Sequence, residues 1–319
     1  MSIRRLPLTF VPLLTVLVMA AGFAGATKAD DETATTLTKL NAAIRRNPRQ
    51  PDAYVLRRIL RQEAGDREPA IEDFNHAIRL DPNNADYYLH RGIVWQELDD
   101  AEKAVQDFST AIRLAPKESE AYVLRGLAWR SLGAAEAALR DFDMAIQLDP
   151  QSSAAFTYRG IVRHAEGKLE RAIADWTQAI RLDPKNYEAF TQRALGRGAR
   201  GEVTGALSDC AAAIRLNPKA APAWHLEAWI RATHPDAQYR DGQRAVVAAR
   251  KACELTEWGD VMSIETLAAA YAETGNFSEA ARWQAKAVES LSRQSSDQAD
   301  AQGRLKLYKA GQPYREPLQ

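Results

Sequence analysis

A proline recurs at a constant interval of 34 residues through most of this 319-residue chain. The recurrence fixes six positions: Pro48, Pro82, Pro116, Pro150, Pro184 and Pro218. Aromatic, glycine and alanine residues repeat in phase with these prolines, so the interval belongs to a whole structural unit. A fixed period of this length predicts a repeat protein built from stacked copies of one supersecondary unit.

The repeat that ends at Pro150 shows what each copy encodes. Tyr122 and Gly126 lie four residues apart on one face of a first helix. Gly133 is placed to end that helix, since glycine readily takes the left-handed conformation found at helix C-termini. A second helix is centred on Phe142 and ends before Pro150, because proline disfavours helical geometry in the residue before it. Two short helices with one apolar face each need stacked copies to form a core.

Residues 121–150 resemble the tetratricopeptide repeat (TPR) family through the sequence AYVLRGLAWRSLGAAEAALRDFDMAIQLDP. The resemblance covers most of the chain beyond the first 36 residues. It implies an all-α fold, a TPR right-handed superhelical solenoid of antiparallel helix pairs. It also implies that the first helices of the pairs line a concave face along which ligands commonly lie.

These patterns divide the chain into five parts. The predicted boundaries are 1–29 for a signal peptide, 30–48 for a linker and an N-terminal half-repeat helix that starts at Thr36, 49–218 for five TPR repeats, 219–291 for a degenerate TPR with an insertion at 233–242 and a final TPR hairpin, and 292–319 for a polar linker and a capping helix over 303–311 with its tail. The segment after residue 218 resembles the closing segment of a bacterial TPR subgroup, which implies a cap rather than a catalytic unit.

The first residues differ in composition from the repeats. Arg4 and Arg5 precede an apolar run that continues to about Ala26 and ends in small residues, a pattern typical of a bacterial secretory signal peptide. The same run is long enough to span a bilayer, so an uncleaved N-terminal anchor is the alternative. Either form predicts export to the periplasm or cell envelope, with a membrane contact only if the leader is uncleaved.

Composition and motifs argue against several functions. Basic and acidic residues each number 42, and this net charge of zero gives no support for nucleic acid as a partner. The sequence contains no P-loop, no G-x-S-x-G and no zinc-type spacing of histidine and cysteine. We therefore expect no catalytic residues, no metal and no cofactor, and an enzyme only if the 233–242 insertion builds a pocket.

The chain has two cysteines, Cys210 and Cys253, each on the apolar face of a predicted second helix. Two cysteines are too few for a disulfide framework in a chain of this length. Buried free thiols are therefore expected, with a bridge between adjacent helices as the alternative.

The repeat also carries a charge pattern in which an arginine is followed 16 residues later by an aspartate. The predicted pairs are Arg57 with Asp73, Arg91 with Asp107, Arg125 with Asp141, Arg159 with Asp175, and Arg193 with Asp209. A helical hairpin brings such positions together, so we expect structural ion pairs within the stack. The alternative is an arginine ladder that binds an acidic ligand.

The TPR resemblance places a partner-binding groove on the first helices. Its candidate residues are Val55, Ile59, Leu89, Ile93, Val123, Leu127, Arg130, Thr157, Ile161, His164, Thr191 and Leu195. The lysine–asparagine set that binds C-terminal carboxylates in chaperone-binding TPR proteins is missing. The apolar floor suits a helix or an extended segment of another protein. The alternative is that these side chains only pack between neighbouring first helices.

The sequence thus predicts an exported, non-enzymatic scaffold that mediates protein–protein interaction in the bacterial cell envelope. The alternative is an accessory or assembly factor for an envelope enzyme complex, tethered by an uncleaved leader. A helical-repeat RNA binder is disfavoured because the repeats lack a recurring pair of base-reading side chains.

Overall fold

The computed structural model describes residues 26–47, 53–54, 56–57, 68–291 and 296–316. Fifteen α helices with defined bounds lie in this part of the chain. They are α1 Ala26–Arg46, α2 Glu68–Leu80, α3 Ala85–Glu97, α4 Ala101–Leu114, α5 Ser119–Ser131, α6 Ala135–Leu148, α7 Ser153–Ala165, α8 Leu169–Leu182, α9 Tyr187–Ala199, α10 Val203–Leu216, α11 Ala221–Thr233, α12 Gly242–Leu255, α13 Val261–Glu273, α14 Phe277–Ser290 and α15 Ser296–Lys309. A short 3₁₀ turn, Ala237–Tyr239, interrupts the link between α11 and α12.

The helices form two compact units, Met1–Ala134 and Ala135–Gln319. In the first unit α3 packs against α4, and α4 against α5. In the second unit each helix from α6 to α14 packs against its successor in the chain. In addition, α11 packs against α13, with smaller contacts between α7 and α9 and between α9 and α11. Each unit is therefore an array of helix hairpins in which most contacts join neighbours along the chain, as expected for a repeat protein.

The 34-residue period is visible in the turns within the hairpins. Gly133, Gly167 and Gly201 all have positive φ, between 73° and 76°, and each is the second residue after the end of a first helix. Asp99 occupies the same position one period earlier and has φ of 58°. Because an L side chain disfavours this conformation, the turn between α3 and α4 is more strained than the turns that carry glycine.

In α4 and α8 a large residue at the centre of the second helix is completely buried against the first helix of the same hairpin. Phe108 and Trp176 have no exposed surface. A Cβ atom added to Gly92 would lie 2.6 Å from the Phe108 ring, and one added to Gly160 would lie 2.6 Å from Trp176 Nε1. The glycines are therefore required by the close approach of two helices. In the hairpin α9–α10 both positions change together, to alanine and to the smaller cysteine, and both remain buried.

Two predicted helix boundaries were wrong. The helix predicted to start at Thr36 is α1, which begins at Ala26, because no glycine or proline interrupts residues 26–47. The last helix begins at Ser296, seven residues before the predicted start at Gly303. Its polar first turns suggested a linker, but Ala301 is fully buried and holds this segment on α14.

Residues 1–25 of the predicted leader lie outside the described residues, and residues 26–29 begin α1. Among the helices that are described, none combines the length and the apolar character that a bilayer crossing requires. The leader therefore remains a prediction from the sequence.

Candidate functional site

The arginines and aspartates of the repeat meet as bidentate ion pairs. Arg91 Nε and Nη2 donate to the two carboxylate oxygens of Asp107, both at 2.7 Å. Arg193 does the same with Asp209, both at 2.8 Å. Parallel geometry of this kind is the strongest arrangement that a guanidinium and a carboxylate make.

Two further predicted pairs have the same geometry. Arg159 donates to Asp175 at 3.1 and 2.7 Å. Arg57 donates to Asp73 through Nε at 3.0 Å and also through Nη2. The fifth predicted pair, Arg125 with Asp141, has its two members in different compact units and stays a prediction.

Each arginine also reaches back to the preceding second helix. The acceptor lies 16 residues before the arginine and directly follows the large buried residue or its equivalent. The contacts are Arg57 to Asn41 at 2.8 Å, Arg91 to Asn75 at 2.6 Å, Arg125 to Ser109 at 3.1 Å, Arg159 to Asp143 at 2.7 Å and Arg193 to Thr177 at 3.3 Å. Every arginine of the series therefore ties neighbouring hairpins together.

A second arginine joins the pair in the hairpins α7–α8 and α9–α10. Arg163 Nη1 donates to Asp175, and Arg197 Nη1 donates to Asp209, both at 2.8 Å. The position is Trp95 in the hairpin α3–α4, where Asp107 has only Arg91 among the arginines of the described residues. The buried aspartates of the second unit are thus more fully compensated than Asp107.

These contacts determine how the arginines of the pairs ionise. Burial by itself would lower the pKa of Arg159, but the hydrogen bonds and charges of Asp175 and Asp143 outweigh it and raise the pKa. The arginine therefore stays charged at all ordinary pH values. With their donors directed at protein acceptors, Arg91, Arg159 and Arg193 are placed as packing elements rather than as open contacts for an acidic ligand.

The predicted groove residues fall into three groups. Val55 and Ile59 lie outside the described residues. Val123, Thr157 and Thr191 are buried, and the two threonines donate their hydroxyls to carbonyls one turn earlier in their own helices. These three side chains lie inside the packing rather than on a surface.

The remaining seven predicted groove residues are accessible to different degrees. Leu89, Ile93, Leu127, Ile161 and Leu195 are half-buried, whereas Arg130 and His164 are exposed at the ends of their helices. The aliphatic residues recur at one position of the first helix, with Ile93 and Leu127 in the first unit and Ile161 and Leu195 in the second. Ile93 packs partly on the cluster around Phe108, and Ile161 partly on Trp176.

Both cysteines are buried free thiols, as expected, so the alternative of a bridge does not hold. Burial raises the pKa of each thiol to about 12. A thiol with such a pKa stays protonated at neutral pH, and these two are therefore inert. Among the described residues no group of three or more His, Cys, Asp or Glu side chains is arranged to hold a metal ion.

Sequence reasoning missed two parts of this network. The backward acceptors vary in type, as Asn75, Ser109, Asp143 and Thr177, but all are polar and share the 34-residue interval. The second arginine was hidden because the same position is tryptophan in earlier repeats. A polar residue of any type at this one position of the repeat is the sequence signal that identifies the acceptors.

Comparisons with known families fit this architecture. The tetratricopeptide repeat model matches residues 59–119 and 96–153, and the protein prenyltransferase alpha subunit repeat model matches residues 169–195. The comparison with curated proteins gives no significant match.

Three solved structures are similar over most of the chain. A tetratricopeptide repeat protein from Parabacteroides merdae is 22% identical, with 76% of this chain and 93% of that chain covered and a TM-score of 0.60. The Cut9-Hcn1 hetero-tetramer of the APC/C gives 16% identity, 86% and 52% coverage and a TM-score of 0.67. Yeast Tom70 gives 20% identity, 89% and 60% coverage and a TM-score of 0.58.

The present chain spans 52% and 60% of the lengths of the last two structures. At these identities the likeness shows the fold alone. The predicted all-α repeat solenoid is confirmed, while the handedness of its superhelix stays a prediction.

Proposed function

We propose that this chain, which is a tetratricopeptide-repeat protein, is an exported and non-enzymatic scaffold that binds a segment of another protein in the cell envelope. The fold and its TPR neighbours support a protein–protein interaction scaffold at the level of class. Export, the envelope and the absence of catalysis are the finer parts of the proposal.

The proposal rests on the observation that, within the repeat, the charged residues bind one another while the aliphatic residues remain partly exposed. The recurring charges are engaged in bidentate pairs within the hairpins, for example Arg91 with Asp107, and the same arginine also binds Asn75 of the preceding hairpin. The recurring aliphatic residues of the first helices keep part of their surface exposed, as Ile93 and Leu127 do in the first unit. A row of partly exposed apolar side chains on adjacent helices suits an amphipathic helix or an extended segment.

A pair of matched substitutions tests this surface. Leu127→Asp places a charge on the first-helix face, and Met144→Asp places the same charge on an exposed apolar residue of a second helix. Partner capture by crosslinking in envelope extracts should be lost in Leu127→Asp and kept in Met144→Asp. Both variants should stay folded. The change at exposed Met144 should alter stability by about 0.5 kcal/mol or less, and the change at half-buried Leu127 should cost about 0.5–3 kcal/mol. If both variants capture the partner equally, the binding face does not include Leu127. If the melting temperature falls strongly in Leu127→Asp alone, Leu127 is a core residue and the binding face lies elsewhere.

The export part of the proposal rests on the leader. Arg4, Arg5 and the apolar run to Ala26 favour cleavage after the small residues. Intact-mass analysis of the protein recovered from cells should show a new N-terminus at Thr27 or Asp30. A full-length chain in membranes would instead support the tethered accessory factor, and a full-length chain in the cytosol would remove both versions.

A further inference from the structure

The C-terminal tail, Gln312–Glu316, folds back onto the end of the helix array. Gly311, with φ of 72°, ends α15 and redirects the chain. Residues 313–316 are half-buried, although they form no regular element. The tail lies against α11 and α13, which are the first helices of the last two hairpins.

The backbone and side chain of the tail bind the C-terminal end of α11. The backbone N–H of Glu316 donates to the carbonyl of Thr233 at 2.9 Å. Arg315 Nη1 donates to the carbonyl of Ala232 at 3.3 Å. The last carbonyls of a helix lack partners within it and carry partial negative charge, so this helix end attracts N–H donors and cations.

An aromatic contact and an ion pair fix the tail between the two helices. The Tyr314 ring lies 5.9 Å from the Trp229 ring of α11. Arg315 Nη2 lies 2.6 Å from the carboxylate of Glu273, the last residue of α13. Trp229 follows Leu195 by one period, so the tail covers the same face of the first helices that carries the aliphatic row.

The insertion between α11 and α12 holds Glu273 in place for this contact. Arg240 Nε donates to Glu273 Oε1 at 3.0 Å. Arg240 Nη1 also donates to the carbonyls of His234 and Pro235, at 2.9 and 2.7 Å. Glu273 is only 15% exposed, and its second oxygen, Oε2, is buried, forms no hydrogen bond among the described residues and faces Arg315 as an ion pair. The face therefore has a fixed receptor for one cation.

The fit of the tail is incomplete at its last described residue. Glu316 Oε2 is buried and has no hydrogen-bond partner among the described residues. The Tyr314 hydroxyl hydrogen-bonds to this carboxylate, so only Oε2 loses its hydration without compensation. It also lies by the negative end of α11, where an anion is disfavoured. A segment with the same aromatic and arginine but an uncharged residue after them would avoid this loss.

We infer that the first-helix face of α11 and α13 is a receptor for an extended protein segment that carries an aromatic residue followed by arginine, and that the chain's own tail occupies it as a displaceable ligand. The inference deepens the proposed function and rests on its premise that first-helix faces receive extended segments. The partner segment is expected to have an uncharged residue after the arginine, since Glu316 is the ill-fitting member of the tail.

A labelled peptide with the tail sequence, AGQPYREPLQ, tests this in full-length protein. Fluorescence anisotropy should show binding to the double variant Tyr314→Ala, Arg315→Ala. The unchanged chain should bind at least about tenfold more weakly, because a tethered tail competes at an effective concentration in the millimolar range. A peptide with alanine in place of its tyrosine and arginine is the matched control and should bind neither protein.

Two refinements probe the chemistry of the receptor. Adding Glu273→Gln to the double variant removes the cation receptor and should weaken binding of the peptide about tenfold or more. A peptide in which the glutamate after the arginine is alanine should bind the double variant about fivefold or more tightly. Unchanged affinity in the first case would overturn the role of Glu273.

A folded double variant that fails to bind the peptide would overturn the inference and leave the tail as a simple cap of α11. If the double variant unfolds, hydrogen exchange in the unchanged chain decides. Excess peptide should then accelerate exchange of the Glu316 amide and leave the amides of α8 unchanged, and no acceleration would overturn the inference. Leu127→Asp should bind the peptide as the unchanged chain does, so this inference and the proposed function can fail separately.

Discussion

The regular hairpins and the C-terminal region from Ala221 to Glu316 are held together by different interactions. In the hairpins α3–α4 and α7–α8 a glycine admits a buried aromatic ring, and an arginine–aspartate pair joins the two helices of the hairpin. In α11 the arginine position is Glu227, which pairs within its own helix with Arg231 at 2.9 Å. In α13 the glycine position is Ala268, part of a fully buried alanine-rich core.

The difference shows how stability is distributed along the array. A regular hairpin such as α3–α4 contains a buried aspartate bound by an arginine, so the loss of the arginine leaves a buried charge. The C-terminal region depends on small side chains and on contacts that occur once, such as Arg315 with Glu273. The regular part should therefore be more sensitive to single charge substitutions than the C-terminal part.

The largest effect is expected when Arg91 is replaced by Met. Asp107, which is almost fully buried, then loses its bidentate partner, and the free energy of unfolding should fall by about 3–5 kcal/mol. Arg193→Met should cost less, about 1.5–3 kcal/mol, because Arg197 still binds Asp209. Arg231→Met in the C-terminal region should cost about 1–3 kcal/mol, because Glu227 keeps 17% of its side chain exposed, more than the 8% of Asp107. Urea denaturation measures all three, and equal losses would erase the distinction between the regions.

A smaller effect is expected from the close approach of two helices. Gly160→Ala places a methyl group against the Trp176 ring, which is fully buried, and should cost about 1–3 kcal/mol. The reverse change at the equivalent position in α13, Ala268→Gly, should cost about 1 kcal/mol through helix propensity. Thermal melting of the two variants compares the regions directly. A neutral Gly160→Ala would mean that the ring does not need the space.

The turn after α3 should be open to improvement. Asp99 has φ of 58°, so Asp99→Gly should raise the free energy of unfolding by up to about 1 kcal/mol. Gly275, with φ of 81°, is its counterpart in the C-terminal region, and Gly275→Ala should lower stability by about 1 kcal/mol. A stabilising effect of alanine at residue 275 would contradict the backbone conformation.

The smallest effect concerns the thiols, one in each region. Burial raises the pKa of Cys210 and of Cys253 to about 12, so the native state keeps protons that the unfolded chain releases. Their contribution is fully present below pH 9 and is lost as the pH rises from about 9 toward 12. At pH 9 the loss should be about 0.5 kcal/mol for each thiol. Alanine variants should flatten this pH dependence, and an unchanged slope would show that the thiols are accessible.

Features that recur could be predicted from the sequence, and features that occur once could not. The phase of the prolines predicted the hairpins, and the 16-residue interval predicted pairs such as Arg91 with Asp107. Gly92 recurs in phase with the prolines, and the structure supplies its physical reason, which is the close approach of the Phe108 ring. The groove residues were also predicted from their position in the repeat. Thr157 has such a position but is buried, so the position in the repeat alone does not determine exposure.

The contacts of the C-terminal region could not be predicted from the repeat. Arg315 contacts a carbonyl 83 residues earlier in the chain, and no repeat supplies a second example of that contact. The position of Arg240 depends on the path of an insertion that occurs once. The start of α15 was hidden because a polar helical turn and a polar linker have the same composition. Long-range contacts without a repeat need the three-dimensional structure.

If the arginine–aspartate pairs stabilise the fold and do not bind a ligand, two conclusions follow. The regular hairpins are more sensitive to charge substitutions than the C-terminal region, and the binding face consists of the aliphatic residues. A double-mutant cycle on Arg91→Met and Asp107→Leu tests this role of the pairs most directly, with unfolding free energies from urea denaturation. We predict that the double variant recovers much of the single-variant losses, with a coupling of about 2 kcal/mol or more. Losses that add to within about 0.5 kcal/mol would show that the two residues are not partners, and the arginines would become candidate contacts for an acidic ligand.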